Sequence, residues 1–165
     1  MATREVKVQR FSVTSFKGFR DVVAAFDAAI GHPDMNLFSK NIAAAKTFAE
    51  VEKIVQGATG PSELMEFIRM DLGKVLQKRN GAGARQSLRL VVGNPVTMSA
   101  MVQQVQDAGS YAPATVLIDE RPDGVHLSYD RMASFIAMYG SPEALKVAQD
   151  LDAKVEALLA AAAAG

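Results

Sequence analysis

The chain has 165 residues, 49% hydrophobic and 22% charged, which suits a single folded domain with a core of its own and argues against wholesale disorder. Lys+Arg and Asp+Glu each number 18, a formal net charge of zero, so the basic excess of a protein that lives on nucleic acid or an anionic membrane is missing. Cysteine is absent and His32 and His126 are the only histidines, which excludes disulfides, thiolate chemistry, cysteine-based metal centres and any His-rich metal site.

The opening residues lack the apolar core of a signal peptide, and no apolar run approaches the roughly 20 residues needed to span a bilayer. The expectation is a cytoplasmic protein without membrane or nucleic-acid partners. A first strand is expected over 6–14, with a shift in apolar alternation near Gln9-Arg10 that fits a bulge or a later start. Ser15 is the expected cap of a helix ending at Ile30, because Phe19, Val22, Val23, Phe26 and Ile30 form one apolar stripe. Gly31 and Pro33 stop it.

Leu37, Phe38 and Ile42 suggest a short helix within 33–45. Thr47 and Glu50 have capping-box spacing and open a helix that carries Phe48, Val51, Ile54 and Val55 and stops at Gly57. Residues 64–70 read as a strand, with helix as the alternative. Asp71 caps a brief helix through Leu76, with Leu72, Val75 and Leu76 facing inward. The stretch Asn80-Gly81-Ala82-Gly83 is a loop.

The central stretch is 88–129. Ser87 to Val92 is a strand ending on Gly93-Asn94-Pro95, where Asn94 suits an N-cap and Pro95 the first helical position. Met98, Met101, Val102 and Val105 then share one helical face. Gly93 allows close approach to the main chain, and a helix start offers free N–H groups to an anion. Read blandly, this is a well-made turn. Residues 109–113 connect to a hairpin of 114–120 and 125–129, closed at Pro122-Asp123-Gly124 by a loop of three to five residues. A short helix starting at Asp130 or Arg131 stops at Gly140. Ser141-Pro142-Glu143 opens the last helix, whose seam of Ala148, Leu151, Val155, Leu158 and Ala162 docks on the sheet or on a second copy. The alanine-rich end should fray.

Leu90-Val91-Val92-Gly93-Asn94-Pro95, the helix after it, Ala112-Pro113-Ala114-Thr115-Val116-Leu117-Ile118 and the Asp123-Gly124 hairpin, in that order, resemble the bacterial and archaeal domain-of-unknown-function family 302. The family's opening helix resembles 19–30 and its middle strand and helix resemble 65–76. The resemblance implies an α+β domain with an antiparallel sheet of about four to five strands, β-α-β(4)-α in outline, similar to the TATA-binding-protein-like folds. It also suggests self-association as a homodimer, and it implies no activity. Cys often precedes Asn-Pro in the family; Gly93 stands there in this chain, so thiol chemistry does not carry over. A single domain over 1–165 is expected, with 33–60 a helical insertion and 142–163 a C-terminal helix, both additions to the family pattern.

His126, Ser128 and Asp130 share one face of a strand, yet i+2 neighbours stand about 7 Å apart, too far for the direct bonds of a triad. Asp119 and Glu120 point to opposite faces, leaving only an encounter of one of them with Asp130 across the hairpin. The methionines suit core filling better than haem ligation, since no Cys-x-x-Cys-His exists. No metal, cofactor or catalytic residue is expected. The reading is a non-catalytic binding or interaction module, with Gly93, Asn94, Met98, Tyr111 and His126 around a helix–sheet cleft for a small anionic or amphipathic ligand. The alternative is an enzyme using Asn94 as an oriented amide and His126 or Asp130 as proton carrier, which requires those groups to converge.

Overall fold

The structure, a computed structural model, describes residue 3, residues 5–81 and residues 83–164. Ala82 of the expected loop and part of the opening stretch read for a signal peptide lie outside them. Among the described residues five strands, β1 (Arg10–Ser15), β2 (Met65–Asp71), β3 (Ser87–Gly93), β4 (Ala114–Arg121) and β5 (Gly124–Asp130), form one antiparallel sheet in the order β1-β5-β4-β3-β2. Among the described residues seven helices accompany it: α1 (Phe19–Ala29), α2 (Met35–Ala44), α3 (Phe48–Ala58), α4 (Leu72–Asn80), α5 (Pro95–Gln104), α6 (Met132–Ile136) and α7 (Pro142–Ala163). This is the α+β architecture expected from the sequence.

Alternation along the strands decides which face is covered. Leu88, Leu90 and Val92 on β3, Val116 and Ile118 on β4, and Val125, Leu127 and Tyr129 on β5 are buried in one core with Val22, Phe26, Met101, Leu151 and Val155 of α1, α5 and α7. Residues between them point to the opposite, open face: Arg89 on β3, Thr115 and Leu117 on β4, His126, Ser128 and Asp130 on β5. A smaller cluster of Phe38, Val55 and Met65 fixes α2 and α3 beside β2.

Several boundaries move for identifiable reasons. The first strand begins at Arg10, the later of the two starts that the alternation allowed. Gly18, not Ser15, occupies the N-cap of α1; the Ser15 hydroxyl instead donates to Ala163 O at 2.8 Å. That bond, together with burial of Ala162 and Ala163, holds the alanine-rich end of α7 against β1, so the last turn is docked where fraying was expected. α3 runs one residue past Gly57, to Ala58. The strand reading of 64–70 holds, and Asp71 caps α4 by accepting from Lys74 N. α4 runs on to Asn80, and its Val75 and Leu76 face solvent, against their expected inward orientation.

The hairpin loop contains only Pro122 and Asp123, because Arg121 and Gly124 already pair. Gly124 takes φ +139°, and a Cβ there would lie 2.6 Å from Ser15 O. Glycine is therefore required on two counts, conformation and close packing against β1.

Candidate ligand site on the open face of the sheet

The corner at Asn94 is closed. The Asn94 Oδ1 accepts from Val96 N at 2.9 Å and Thr97 N at 3.2 Å, while Asn94 O accepts from Met98 N at 2.9 Å. Pro95 has no N–H, so the first turn of α5 keeps no amide for an anion. The Asn94 Nδ2 donates to Glu63 O, tying the cap to the turn before β2. Gly93 is covered as well: a Cβ there would sit 3.1 Å from the Pro113 Cβ and 3.5 Å from the Phe67 ring. Met98 packs on the main core. The bland reading of this turn accounts for every group in it.

His126 is at the other end of the sheet. One register row runs Thr14, His126, Asp119, Ser87, whereas Asn94 lies beyond Gly93 at the far end of β3, about 20 Å away at ~3.3 Å per residue. The His126 Nε2 lies 2.9 Å from Asp123 Oδ1 in the hairpin loop. Asp130 is engaged by Arg10, whose Nε and Nη2 donate to its two oxygens at 2.6 and 2.8 Å. Asp119 pairs with Arg121 and Glu120 accepts from Gln86 N, so neither meets Asp130. The residues expected around one cleft therefore do not form one. Asn94 does not converge with His126 or with Asp130.

A cavity of about 370 Å³ does lie on the open face, at the end where β4 begins and β5 finishes. Antiparallel pairing brings those two ends together, so the segment entering β4 meets the helix leaving β5. Tyr111, just before β4, stacks on Phe135 of α6 with ring centroids 4.8 Å apart and planes 15° from parallel. Of the residues expected at a binding site, Tyr111 is the one that lines this cavity. Its hydroxyl lies 2.9 Å from that of Tyr139, a contact that pushes the Tyr139 phenol up to about 12.

The floor is read directly from register. Ser12, Ser128, Leu117, Arg89 and Met70 form one row across the sheet, and Arg10 faces Asp130 in the adjacent row. Ser128, Leu117, Arg89, Arg10 and Asp130 all line the cavity. Among the described residues the exposed Arg89 guanidinium has neither a counter-ion nor a hydrogen-bond partner in the protein, and the Ser128 hydroxyl, also without a protein partner, opens onto the cavity.

The aromatic wall is held from behind. Asp152 of α7, 6% exposed, accepts from Tyr129 Oη and Met132 N at 2.6 Å each and from Ala133 N at 3.1 Å. It thus caps α6, the helix that carries Phe135, from another helix. Burial pushes the Asp152 carboxyl above the usual range, against these three bonds, which favour its charged form. Burial, followed by the bond to Asp152, likewise raises the Tyr129 phenol. Arg131 adds a two-pronged bond to Glu156, at 2.6 and 3.0 Å.

Sequence reasoning reached Ser128 and Asp130 through their shared face with His126, but read Arg89 and Phe135 only as parts of a strand and of a short helix. The available signal was a lone arginine at an outward position of a central strand, opposite an apolar Leu117. Among the described residues no three His, Cys, Asp or Glu side chains are grouped to hold a metal ion, and no helix is long and apolar enough to cross a membrane.

The profile of the family described as "Domain of unknown function DUF302" matches residues 38–162, well over half of the chain. The chain belongs to this family. Its fold is similar to the crystal structure of the uncharacterized conserved protein DUF302 from Bacillus stearothermophilus, with a TM-score of 0.63 over 93% of this chain and 97% of that one, at 11% identity. No curated protein matches. The DUF302 match runs through 38–60, inside the stretch read from sequence as an addition, and includes nearly all of α7.

Proposed function

We propose that this DUF302 protein is a non-catalytic small-molecule-binding module whose site is the open-face cavity. The observation that carries the reading is the cavity itself, about 370 Å³, with the stacked Tyr111–Phe135 wall beside a floor that presents the Arg89 guanidinium, without a counter-ion among the described residues, and the Ser128 hydroxyl. A ligand there exchanges the water on these two groups for direct bonds, and the stacked Tyr111–Phe135 wall gives it an apolar surface. The ligand class expected from the sequence, small and anionic or amphipathic, suits this cavity better than the Asn94 corner. The alternative, an enzyme built on Asn94 and His126, has no shared cleft to work in.

The test is a heteronuclear NMR titration with a panel of small anions, metabolites and aromatic fragments. Amides of Arg89, Thr115, Leu117 and Ser128 should move, and those of 93–98 should stay. A panel that leaves all four unmoved removes the proposal.

Self-association belongs to the same reading, with a second copy as partner. β2 is an edge strand, Ile68 on its open face is 54% exposed, and Val75 on the following helix is 66% exposed. A cytoplasmic setting accords with the cysteine-free composition, and cell fractionation checks it.

A further inference from the structure

We propose that the cavity takes a small aromatic monocarboxylate, with the carboxylate on Arg89 and the ring over Leu117 against the Tyr111–Phe135 wall. This rests on the reading of the cavity as a binding site and adds the chemistry of what fills it.

Charge comes first. Among the described residues the charged side chains lining the cavity are Arg10, Arg89 and Asp130. Arg10 and Asp130 neutralise each other through two parallel bonds, so of these a single positive charge is left over, on Arg89. A monoanion balances it. A phosphate dianion would bring excess negative charge next to Asp130, with no second free cation to hold it.

The donor geometry selects between anions of equal charge. Phosphate sites are typically built from several main-chain N–H groups at a helix start or in a glycine-rich nest. This floor is the middle of β3, β4 and β5, whose amides belong to the sheet ladders, and the amides at the start of α5 are capped by Asn94. What remains is one planar guanidinium fork, which matches the two oxygens of a carboxylate.

The row Arg89–Leu117–Ser128 then sets the rest of the molecule. Leu117 lies between the cation and the hydroxyl, so the carbon skeleton next to the carboxylate meets an apolar side chain. Arg89 and Ser128 are two strand spacings apart, about 10 Å between main chains at ~4.8 Å per strand. A mono- or bicyclic ring spans that gap. Its far edge meets the Ser128 hydroxyl, which suits a hydroxyl or carbonyl substituent there. Tyr111 and Phe135, already stacked, offer their surface to the same ring.

The experiment uses the full chain, calorimetry and amide NMR, with 6-hydroxy-2-naphthoate, 2-naphthoate, 2-naphthol and inorganic phosphate as probes. The hydroxynaphthoate should bind with shifts at Arg89, Leu117 and Ser128, at least tenfold more tightly than 2-naphthol and more tightly than phosphate. Arg89→Leu, an exposed position, should lose at least tenfold for both carboxylates and leave 2-naphthol unchanged. Ser128→Ala should erase the advantage of the hydroxynaphthoate over 2-naphthoate. Thermal melts of both variants confirm the fold. Equal affinity for naphthol and naphthoate at the same amides, or tighter binding of phosphate, overturns the carboxylate assignment and leaves the cavity as a binding site. Absence of any cavity shift with all four probes, in a folded wild-type protein, overturns both.

Discussion

Asp152 shows how a single carboxylate ties the fold to the cavity. Three donors from β5 and α6 converge on it at 3.1 Å or less; in Asp152→Ala the Tyr129 hydroxyl and Ala133 N lose their acceptor, while Met132 N keeps the Tyr129 Oη at 3.0 Å. Buried donors left without a partner cost about 1–3 kcal/mol each before relaxation, so a loss of roughly 3 kcal/mol is expected in denaturant unfolding. Asp152→Asn keeps one acceptor oxygen and should lose less. The pH dependence has a definite sign. The folded carboxyl titrates above its unfolded value, so its contribution is fully present below about pH 4 and is lost as pH rises through the folded value. The stability of the wild type minus that of Asp152→Asn should therefore fall with rising pH across that window; a flat or rising difference contradicts the raised carboxyl. Asn94 has a different kind of role. Asn94→Ala removes the acceptor for two amides of α5 and should cost about 1 kcal/mol without altering any ligand shift at Arg89 or Ser128.

At the scale of elements, the tight hairpin between β4 and β5 also anchors β1, since Gly124 lies directly under Ser15 O. Gly124→Ala should destabilise on the order of 2 kcal/mol, from a disfavoured φ and a displaced strand. Amide exchange should quicken first in β1 and the end of α7, the pieces joined through Ser15. These same elements mark how far the sequence could be read. Caps, proline and glycine placement and alternation are local, so β3, α5, the hairpin and the start of α7 were legible within a residue or two. The docked end of α7 was not, because nothing within the alanine run signals a serine 148 positions earlier in the chain. Nor was the outward face of Val75, since an apolar residue at helical spacing reads as core wherever it occurs. The site failed for a related reason. The expectation of a crowning set of free amides treated a capped turn as uncapped, although Asn94 itself was the cap. The aromatic wall joins Tyr111 to Phe135 across the two strands of the hairpin, a contact that register creates and local pattern does not.

For the whole molecule the open face poses a question of cover. A sheet with helices on one side leaves the other to water, to a ligand or to another copy. Here the two ends of that face differ. The β1–β5–β4 end carries polar pairs and the cavity, whereas the β2 edge carries Ile68 and Met70, with Val75 and Leu76 exposed on α4. Apolar side chains of that size beside an unpaired strand edge form the kind of surface that a symmetric pair of edges would bury. The expected result in multi-angle light scattering is a mass near twice that of one chain, with dissociation on dilution. Ile68→Lys should return it to the mass of one chain, because lysine on an edge strand charges the contact from both sides of the two-fold axis at once. The melting temperature at low concentration should hardly change, since position 68 supports no core. Ligand shifts at Arg89 and Ser128 should persist in the dissociated protein, given that none of the residues lining the cavity belongs to β2 or α4. A wild-type mass of one chain at high concentration would remove the pairing and leave the cavity untouched. Loss of binding on dissociation would instead mean that the cavity is completed across the pair.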